Sequence, residues 1–290
     1  MLSSPRNEGY LQRGLALSVT VGVMLSLFVV HISAQTSEPQ ATKTVAEAAN
    51  PFAWNVRAEL DANYLWRGLY CGGLSVQTEA DVSYFGVFAN MWWNVGATDY
   101  KWGKRDAAGK PITGINPEVD VSLGYRYKGL MLLFIHMYYF DWYTDGRMSR
   151  YFDWRNYGPG EGGVTTEWRI AYRISDKVPL RLMWCTRTFG RDGYYTDGGE
   201  LKRAYSTYIE ARYDQPLPHE VVLTGIIGIT PWRSMYTGFE KEFAVVNLSV
   251  GVKKAWLVAE HCAVDIGGMI VFNPSSMQPL WNITTGVTFE

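Results

Sequence analysis

Residues 54 to 67 read W-N-V-R-A-E-L-D-A-N-Y-L-W-R. Every second residue from Trp54 to Trp66 is apolar, and the residues between them are almost all polar. Alternation with a period of two predicts a β-strand with one apolar and one polar face. The run is longer than the roughly five or six residues of a typical globular strand. A tilted strand crosses a membrane with about 9–11 residues, so the pattern predicts a transmembrane strand.

The same alternation recurs along the chain and predicts about twelve strands, an even number as in single-chain bacterial barrels. We therefore predict an all-β fold, a transmembrane antiparallel up-and-down β-barrel with both termini periplasmic. Short periplasmic turns are expected to alternate with longer outer loops. A soluble β-sandwich is the alternative, because its strands also alternate. The predicted strands cover residues 54–67, 74–83, 87–97, 118–127, 130–142, 164–174, 180–188, 204–213, 221–229, 243–252, 257–272 and 280–289.

The composition fits a sheet that faces lipid. Aromatic residues make up 15% of the 290 residues, and charged residues make up 19%, below the roughly 25% of soluble domains. The formal net charge of −1 gives no reason to expect a nucleic-acid partner. The cysteines are odd in number and lack C-x-x-C spacing, which argues against a disulfide framework or a zinc site. We predict no cofactor and no metal.

The N-terminal residues 1–34 are predicted to form a signal peptide. Arg6 and Arg13 precede the apolar stretch 15–30, and Ser33-Ala34 ends the segment. An uncleaved anchor is the alternative, because the apolar stretch is long for a signal. Residues 35–50 are polar and are predicted to form a periplasmic tail, and residues 51–290 form the barrel. This organisation predicts export to the cell outer membrane of a Gram-negative bacterium.

The polar faces of the predicted strands are rich in charge. Acidic residues concentrate on the first, second and fourth predicted strands, and arginines on the sixth and seventh. One interpretation is an open pore in which opposed charges select solutes. The other is a lumen filled by arginine–carboxylate bridges between strands. The predicted pore-lining residues are Arg57, Glu59, Asp61, Arg67, Glu79, Asp81, Glu118, Asp120, Arg126, Glu167, Arg169, Arg173, Arg181, Arg187, Glu210 and Arg212.

Aromatic residues give two further hypotheses about the lumen. Trp92, Phe134, Tyr138 and Phe140 form either an inward track that stacks on sugar rings or simple packing, because the strand 130–142 is apolar on both faces. The predicted loop 143–163 mixes tyrosine, phenylalanine and tryptophan with arginine. It either enters the lumen as a constriction or binds glycans outside.

The sequence gives little support for an enzyme. Three histidines, His136, His219 and His261, follow the predicted signal, and none lies in a motif typical of outer-membrane phospholipases. Asp192, with the acidic residues that follow it, offers oxygen ligands, but Asp-Gly pairs are more typical of turns. We predict no catalytic site, and an outer-membrane lipid hydrolase is the weaker alternative.

Three stretches resemble the TorF-type porin family. Residues 62–69 read A-N-Y-L-W-R-G-L and are similar to the aromatic-x-x-Arg-Gly signature at the end of that family's first strand, and the hairpin arm 72–86 is similar too. The last strand, 282–289, is similar to the family's aromatic-ended strand, and here Glu290 follows the aromatic residue. The resemblance implies an outer-membrane barrel that engages the barrel-assembly machinery through its last strand.

These observations predict a channel for passive or modestly selective passage of small hydrophilic solutes. Its predicted partners are outer-membrane lipid and those solutes. The alternative is a plugged barrel that acts as a surface-binding or structural component of the envelope.

Overall fold

The computed structural model describes residues 51–97, 117–140, 149–159 and 162–290. The predicted signal peptide and the predicted periplasmic tail lie outside these ranges. Within them, twelve strands close into one antiparallel barrel, and four shorter strands form two separate hairpins. No helix of the described residues is long and apolar enough to span a membrane.

The barrel strands follow the predicted sequence pattern closely. Two short 3-10 helices, Pro218–Glu220 and Met235–Thr237, lie in connections. The small hairpins are β2–β3 and β10–β11. The strands are β1 Phe52–Asp61, β2 Tyr64–Trp66, β3 Leu69–Gly72, β4 Ser75–Tyr84, β5 Val87–Gly96, β6 Glu118–Tyr127, β7 Leu130–Tyr138, β8 Val164–Arg173, β9 Leu180–Gly190, β10 Gly193–Tyr195, β11 Leu201–Arg203, β12 Thr207–Leu217, β13 Val221–Thr230, β14 Ala244–Ala259, β15 Cys262–Asn273 and β16 Gln278–Phe289.

Strand pairing closes the barrel between its first and last strands. β1 pairs with β4 on one side and with β16 on the other, in the register Val56↔Phe289 and Asp61↔Thr284. The remaining barrel strands pair with their neighbours in chain order. Since β1 and β16 are antiparallel, residues 52 and 289 lie at the same end of the barrel, called here the terminal end. The predicted twelve-stranded up-and-down fold is confirmed.

The two largest errors in the predicted strand boundaries lie at the end of the first strand and at the end of β14. The first strand ends at Asp61 rather than at residue 67, because the chain reverses at Arg67 and Gly68, which both have positive φ, and β2 pairs with β3 instead. The predicted turn at 253–256 is part of β14, which runs on to Ala259. Lys253 and Lys254 are charged, but they simply point to opposite faces of that strand.

The outer face of the barrel is apolar and exposed. Trp54, Trp93 and Trp168 are between 44% and 54% exposed, and Ile270 on β15 is 70% exposed. A sandwich would bury this face against a second sheet, whereas a barrel of this kind presents an apolar band with aromatic girdles to lipid. The outward band is therefore that of a transmembrane barrel.

The interior contains apolar as well as polar groups. One buried cluster, centred on Tyr208, joins Met183 and Cys185 to Tyr236 and Val246, and Trp66 packs against it. A second buried cluster is formed by Phe88, Leu133, Ile135 and Met137. All three cysteines are free thiols.

Candidate functional site: the lumen and its hairpin

Residues 62–74, the connection between β1 and β4, enter the barrel and are called here the lumenal hairpin. They contain β2 and β3. The backbone N–H of Ala62 donates to the carbonyl of Ile283 at 2.9 Å, and the N–H of Asn63 donates to Asn282 Oδ1 at 3.0 Å. The start of the hairpin is thus fixed to β16, and its turn is directed across the lumen.

Arg67, at the turn of the lumenal hairpin, binds Glu167 on the opposite wall. Its two terminal nitrogens donate to the two carboxylate oxygens at 2.6 and 2.7 Å. The side chains are only 6% and 1% exposed. Two-point pairing of this kind is stronger and more directional than a single charged hydrogen bond. Glu167 also accepts from Arg169 at 3.0 Å, so one carboxylate holds two guanidinium groups.

Tyrosine and tryptophan rings surround the Arg67 guanidinium. It donates to the Tyr236 hydroxyl at 2.6 Å and lies 4.5 Å from the Trp66 ring and 5.1 Å from the Tyr208 ring. Burial raises the pKa of Tyr236 well above its ordinary value, so the phenol stays neutral beside the cation. The cation–π contacts and the ion pair together hold the turn in one position.

Glycine at position 68 allows the hairpin to approach the wall. A Cβ at Gly68 would lie 1.9 Å from the carbonyl oxygen of Val246, and the residue has a φ of +81°. The Gly68 carbonyl accepts a hydrogen bond from Asn273 Nδ2 at 3.0 Å. Only glycine combines this backbone conformation with such close contact.

The first arm of the lumenal hairpin, β2, contacts Glu118 on β6. The Tyr64 hydroxyl donates to Glu118 at 3.0 Å, and its ring lies 5.7 Å from that of Trp92. Burial raises the pKa of Tyr64 well above its ordinary value, so this phenol also stays neutral. The lumenal hairpin therefore extends from β1 and β16 to the wall that contains β6 and β8, and it occupies the interior of the barrel.

The lumen nearer the terminal end carries partly exposed charge. Arg173 and Arg181 face each other on β8 and β9, and Arg181 faces Arg212 on β12. The Arg173 and Arg181 side chains are 38% and 36% exposed. Their acidic neighbours are Asp176, 3.3 Å from Arg173, Glu210, 3.5 Å from Arg181, and Asp214, 2.9 Å from Arg212. The three arginines, called here the basic stripe, lie side by side on β8, β9 and β12, and each of them also has a carboxylate within ion-pair distance.

Asp265 on β15 is at the centre of a second group of ion pairs in the lumen. It accepts from Arg57, which also pairs with Glu59, and it lies 3.3 Å from the ammonium of Lys253. Further along the wall, Arg126 pairs with Asp81 at 3.2 Å. Much of the charge in the lumen is thus paired, either within one strand or with a strand one or two positions away in the barrel.

The strand register places fifteen of the sixteen predicted pore-lining residues on the inner face. Fifteen of them belong to barrel strands, and Arg67 belongs to the lumenal hairpin instead of the first strand. One ion pair, between Arg67 and Glu167, joins the predicted acidic side of the lumen to the predicted arginine side. Their role in lining an open pore stays a prediction.

Several lumenal residues were missed by the sequence analysis. Lys253 was missed because the predicted turn at 253–256 ended the alternation, which in fact continues along β14. Asp265 was missed although it lies within the predicted strand 257–272. Tyr236 and Asn273 come from outside the regular part of the alternation, and no sequence signal indicated that they meet the hairpin.

The aromatic residues of β7 divide between the two faces. Trp92 points inward as predicted for an aromatic track, but Phe134 lies against the outward Trp168 at 5.0 Å. Tyr138 is also outward, and its hydroxyl donates to the carbonyl of Ser149 at 2.8 Å. Met131, Leu133, Ile135 and Met137 hold the inward positions. The continuous inward track is wrong because the register places Phe134 and Tyr138 on the other face.

Part of the predicted loop 143–163 covers the outer wall. The described residues 149–154 pack on His136 of β7: the Trp154 indole donates to His136 Nδ1 at 3.0 Å, and the Tyr151 ring lies 4.4 Å away. Residues 141–148 and 160–161 lie outside the described ranges. Residues 149–154 therefore lie on the outer wall of the barrel rather than in its lumen.

The other predicted chemical groups are dispersed. His219 and His261 lie in turns at the terminal end, remote along the strands from His136. Asp192 is buried and accepts from the Ser206 N–H at 2.8 Å, and burial raises its pKa. Within the described ranges, no group of three His, Cys, Asp or Glu side chains is arranged to hold a metal ion.

Comparison with known proteins gives similarity at the level of structure only. No family model matches the chain, and no match is found among curated protein sequences. The NanC porin is 11% identical with a TM-score of 0.43, over 82% of this chain and 100% of that chain. The KdgM porin is 8% identical with a TM-score of 0.40, over 82% and 98%. An outer-membrane channel from Pseudomonas putida F1 is 11% identical with a TM-score of 0.44, over 88% and 99%.

Proposed function

We propose that this protein is an outer-membrane channel for the passive or modestly selective passage of small hydrophilic solutes, narrowed by the lumenal hairpin. The observation that carries the proposal is a barrel that is apolar outside and charged inside. Several inner charges, such as Arg173 and Arg181, keep more than a third of their surface exposed. A polar lumen is the feature that lets solutes and ions pass through a membrane barrel.

The lumenal hairpin is the constriction in this proposal. It extends from β16 to the wall that contains β6 and β8, where Tyr64 meets Glu118 and Arg67 meets Glu167. The solute route then runs past the hairpin, and charged side chains at the narrow point set the local concentration of ions. Because an inserted loop is the usual way in which a barrel limits its bore, the channel is expected to be small.

The cellular location and family are part of the same proposal. The apolar outer band fits a bilayer, and residues 1–34 fit an export signal followed by the tail 35–50. The motif at residues 62–69 lies within the lumenal hairpin and carries the resemblance to the TorF-type porins. The last strand ends in Phe289, 46% exposed, and would engage the barrel-assembly machinery. We propose no catalytic activity.

Conductance of the purified protein in planar lipid bilayers tests the function. We expect small, discrete conductance steps in potassium chloride, and leakage of small sugars from liposomes that contain the protein. A barrel that inserts and folds, as shown by heat-modifiable gel migration, but passes neither ions nor sugars would overturn the proposal.

The alternative is a plugged barrel that acts as a structural or surface-binding component. The observation in its favour is the same hairpin, because Arg67 and Glu167 are almost fully buried. A silent wild-type barrel whose variants without the ion pair conduct would assign the hairpin as a plug.

A further inference from the structure

We infer that the lumen holds a binding site for a small organic cation, such as an aliphatic diamine, on the inner wall formed by β4, β5 and β6. The site consists of Trp92 of β5 and the carboxylates on either side of it, Glu79 of β4 and Asp120 of β6. The strand register places these three residues in one row across the wall. Such a site deepens the proposed channel function and rests on it for the route by which the cation arrives.

An aromatic face points into this part of the lumen. Trp92 faces inward and is partly exposed, and its ring lies 5.7 Å from the ring of Tyr64 in the lumenal hairpin. The face of an indole attracts cations more strongly than that of any other aromatic side chain. Because the lumenal hairpin supplies the second ring, an occupant of the site contacts the element that narrows the lumen.

The carboxylates of this wall have no paired cation among the described residues. Glu79, Asp120 and the neighbouring Glu118 form no ion pair with another described residue. Glu79 accepts a hydrogen bond from Asn90 at 2.6 Å, and Glu118 accepts one from Tyr64 at 3.0 Å. One oxygen of Asp120, Oδ1, is buried and accepts no hydrogen bond from any described residue. Since buried carboxylate oxygens are normally hydrogen-bonded or paired, this wall suits a ligand that carries positive charge on N–H groups.

The basic residues on the neighbouring strands are bound to other carboxylates. Arg57 of β1 lies opposite Glu79 in the register, but its guanidinium contacts Asp265 on the far side. Arg126 of β6 pairs with Asp81 at 3.2 Å. Neither arginine therefore neutralises the row that contains the indole.

The other side of the row is apolar at first. Asp120 lies opposite Met137 of β7, which is buried. Beyond β7, Arg169 is held by Glu167 at 3.0 Å. Arg187 of β9 lacks an ion pair with a described residue, but three strand intervals separate β9 from β6 in the sheet. The three carboxylates of the wall outnumber this arginine, and the excess of negative charge favours a cationic occupant.

The spacing of the row suits an elongated ligand. Adjacent strands lie about 4.8 Å apart, so the backbones of Glu79 and Asp120 are separated by about 10 Å, with Trp92 between them. Both acidic side chains are partly exposed on the inner face, so a solute in the lumen reaches them. An aliphatic diamine directs one ammonium group to each carboxylate while its carbon chain lies on the indole.

Calorimetric titration of the detergent-solubilised protein with putrescine at low salt tests the site. We expect saturable binding of putrescine and no binding of butanediol of the same chain length, which has a similar shape but no charge. Asp120→Asn keeps the size of the side chain and is expected to weaken putrescine binding about tenfold, because a charged acceptor is lost. The matched control is Glu260→Gln, at a side chain that is 90% exposed in the turn between β14 and β15, and it should leave the affinity unchanged.

A second pair of variants tests the aromatic contribution without changing any charge. Trp92→Leu is expected to weaken putrescine binding about threefold, because the cation loses the face of the indole. Trp93→Leu is its control, because Trp93 is adjacent in sequence but faces outward and is 44% exposed. Heat-modifiable gel migration shows that each variant is folded. Equal binding of putrescine and butanediol, or unchanged putrescine affinity in both Asp120→Asn and Trp92→Leu, would overturn the inference.

Binding and conduction fail separately. Calorimetry in micelles does not require ion flow, so a silent barrel that binds putrescine would overturn the channel and keep the site. A conducting barrel that does not bind putrescine would overturn the site and keep the channel.

Discussion

Arg67 and Glu167 lie a hundred residues apart and form a two-point ion pair inside the barrel, with contacts of 2.6 and 2.7 Å. The arginine comes from the turn of the lumenal hairpin, and the carboxylate comes from the wall of β8. Both side chains are shielded from water. The pair therefore contributes to holding the turn of the hairpin against the β8 wall.

Arg67→Ala is expected to release the hairpin. Removing one partner of a buried ion pair costs about 3–5 kcal/mol, and because Glu167 keeps its pairing with Arg169 we expect a cost at the lower end of that range. We expect a lower free energy of unfolding in urea and a larger single-channel conductance. Arg155→Ala, at an exposed position of the outer loop, is the control and should change neither. Unchanged conductance and stability in Arg67→Ala would show that the ion pair does not hold the hairpin.

Gly68→Ala tests the same element without changing any charge. The added methyl group would meet the Val246 carbonyl oxygen at 1.9 Å, and the positive φ adds strain, so the hairpin cannot dock as it does now. We expect raised conductance and faster proteolysis within residues 62–74. Gly199→Ala is the control, because that glycine also has positive φ, of +78°, but has nothing within 4 Å of its Cβ position. Identical behaviour of the two variants would mean that strain alone, rather than contact with the wall, is responsible.

The basic stripe is expected to set ion selectivity. Changing Arg173 and Arg181 together to Glu reverses two adjacent charges in the lumen, and the reversal potential in a salt gradient should shift toward cation selectivity. Lys177→Glu reverses a charge in the exposed turn nearby and should cause a much smaller shift. If both changes have equal effects, the stripe does not face the conducting path.

The loss of stability caused by a charge on the outward band is expected to depend on the depth of that charge in the membrane. Val250 is 62% exposed near the middle of β14, and Val250→Arg at mid-membrane should cost roughly 2–4 kcal/mol of unfolding free energy in lipid. Ala259→Arg, at the end of the same strand, should cost only about 0–1 kcal/mol. Equal costs at the two depths would contradict the assigned membrane position.

The packing of the outer-wall segment 149–154 is expected to depend on the indole N–H of Trp154. Trp154→Phe removes the donor to His136 Nδ1 and leaves a buried acceptor unsatisfied, at a cost of about 1–3 kcal/mol. The expected result is faster limited proteolysis within this segment. Phe152→Leu, at a side chain that is 71% exposed, is the control and should leave the rate unchanged. Equal proteolysis of Trp154→Phe and wild type would show that the hydrogen bond does not fix the segment.

The regular part of the fold could be predicted from local pattern. β6 begins and ends as predicted, at Glu118 and Tyr127, because a strand with one lipid face and one lumenal face alternates strictly. The prediction was wrong where the alternation of polarity does not match the path of the backbone. At residues 62–67 the alternation continues, but the backbone turns inward; at Lys253 and Lys254 it breaks, but the strand continues.

Local alternation was enough to predict the barrel, its even strand number and most of the inward charges, because side-chain direction in a strand follows from position alone. Which of these charges meet depends on the assembled barrel. The partners of Arg67 come from β8 and from the connection that holds Tyr236, and their approach depends on strand register, barrel closure and the space that Gly68 leaves at Val246. Contacts between such distant segments are set by the assembled shape of the lumen, which no local pattern encodes.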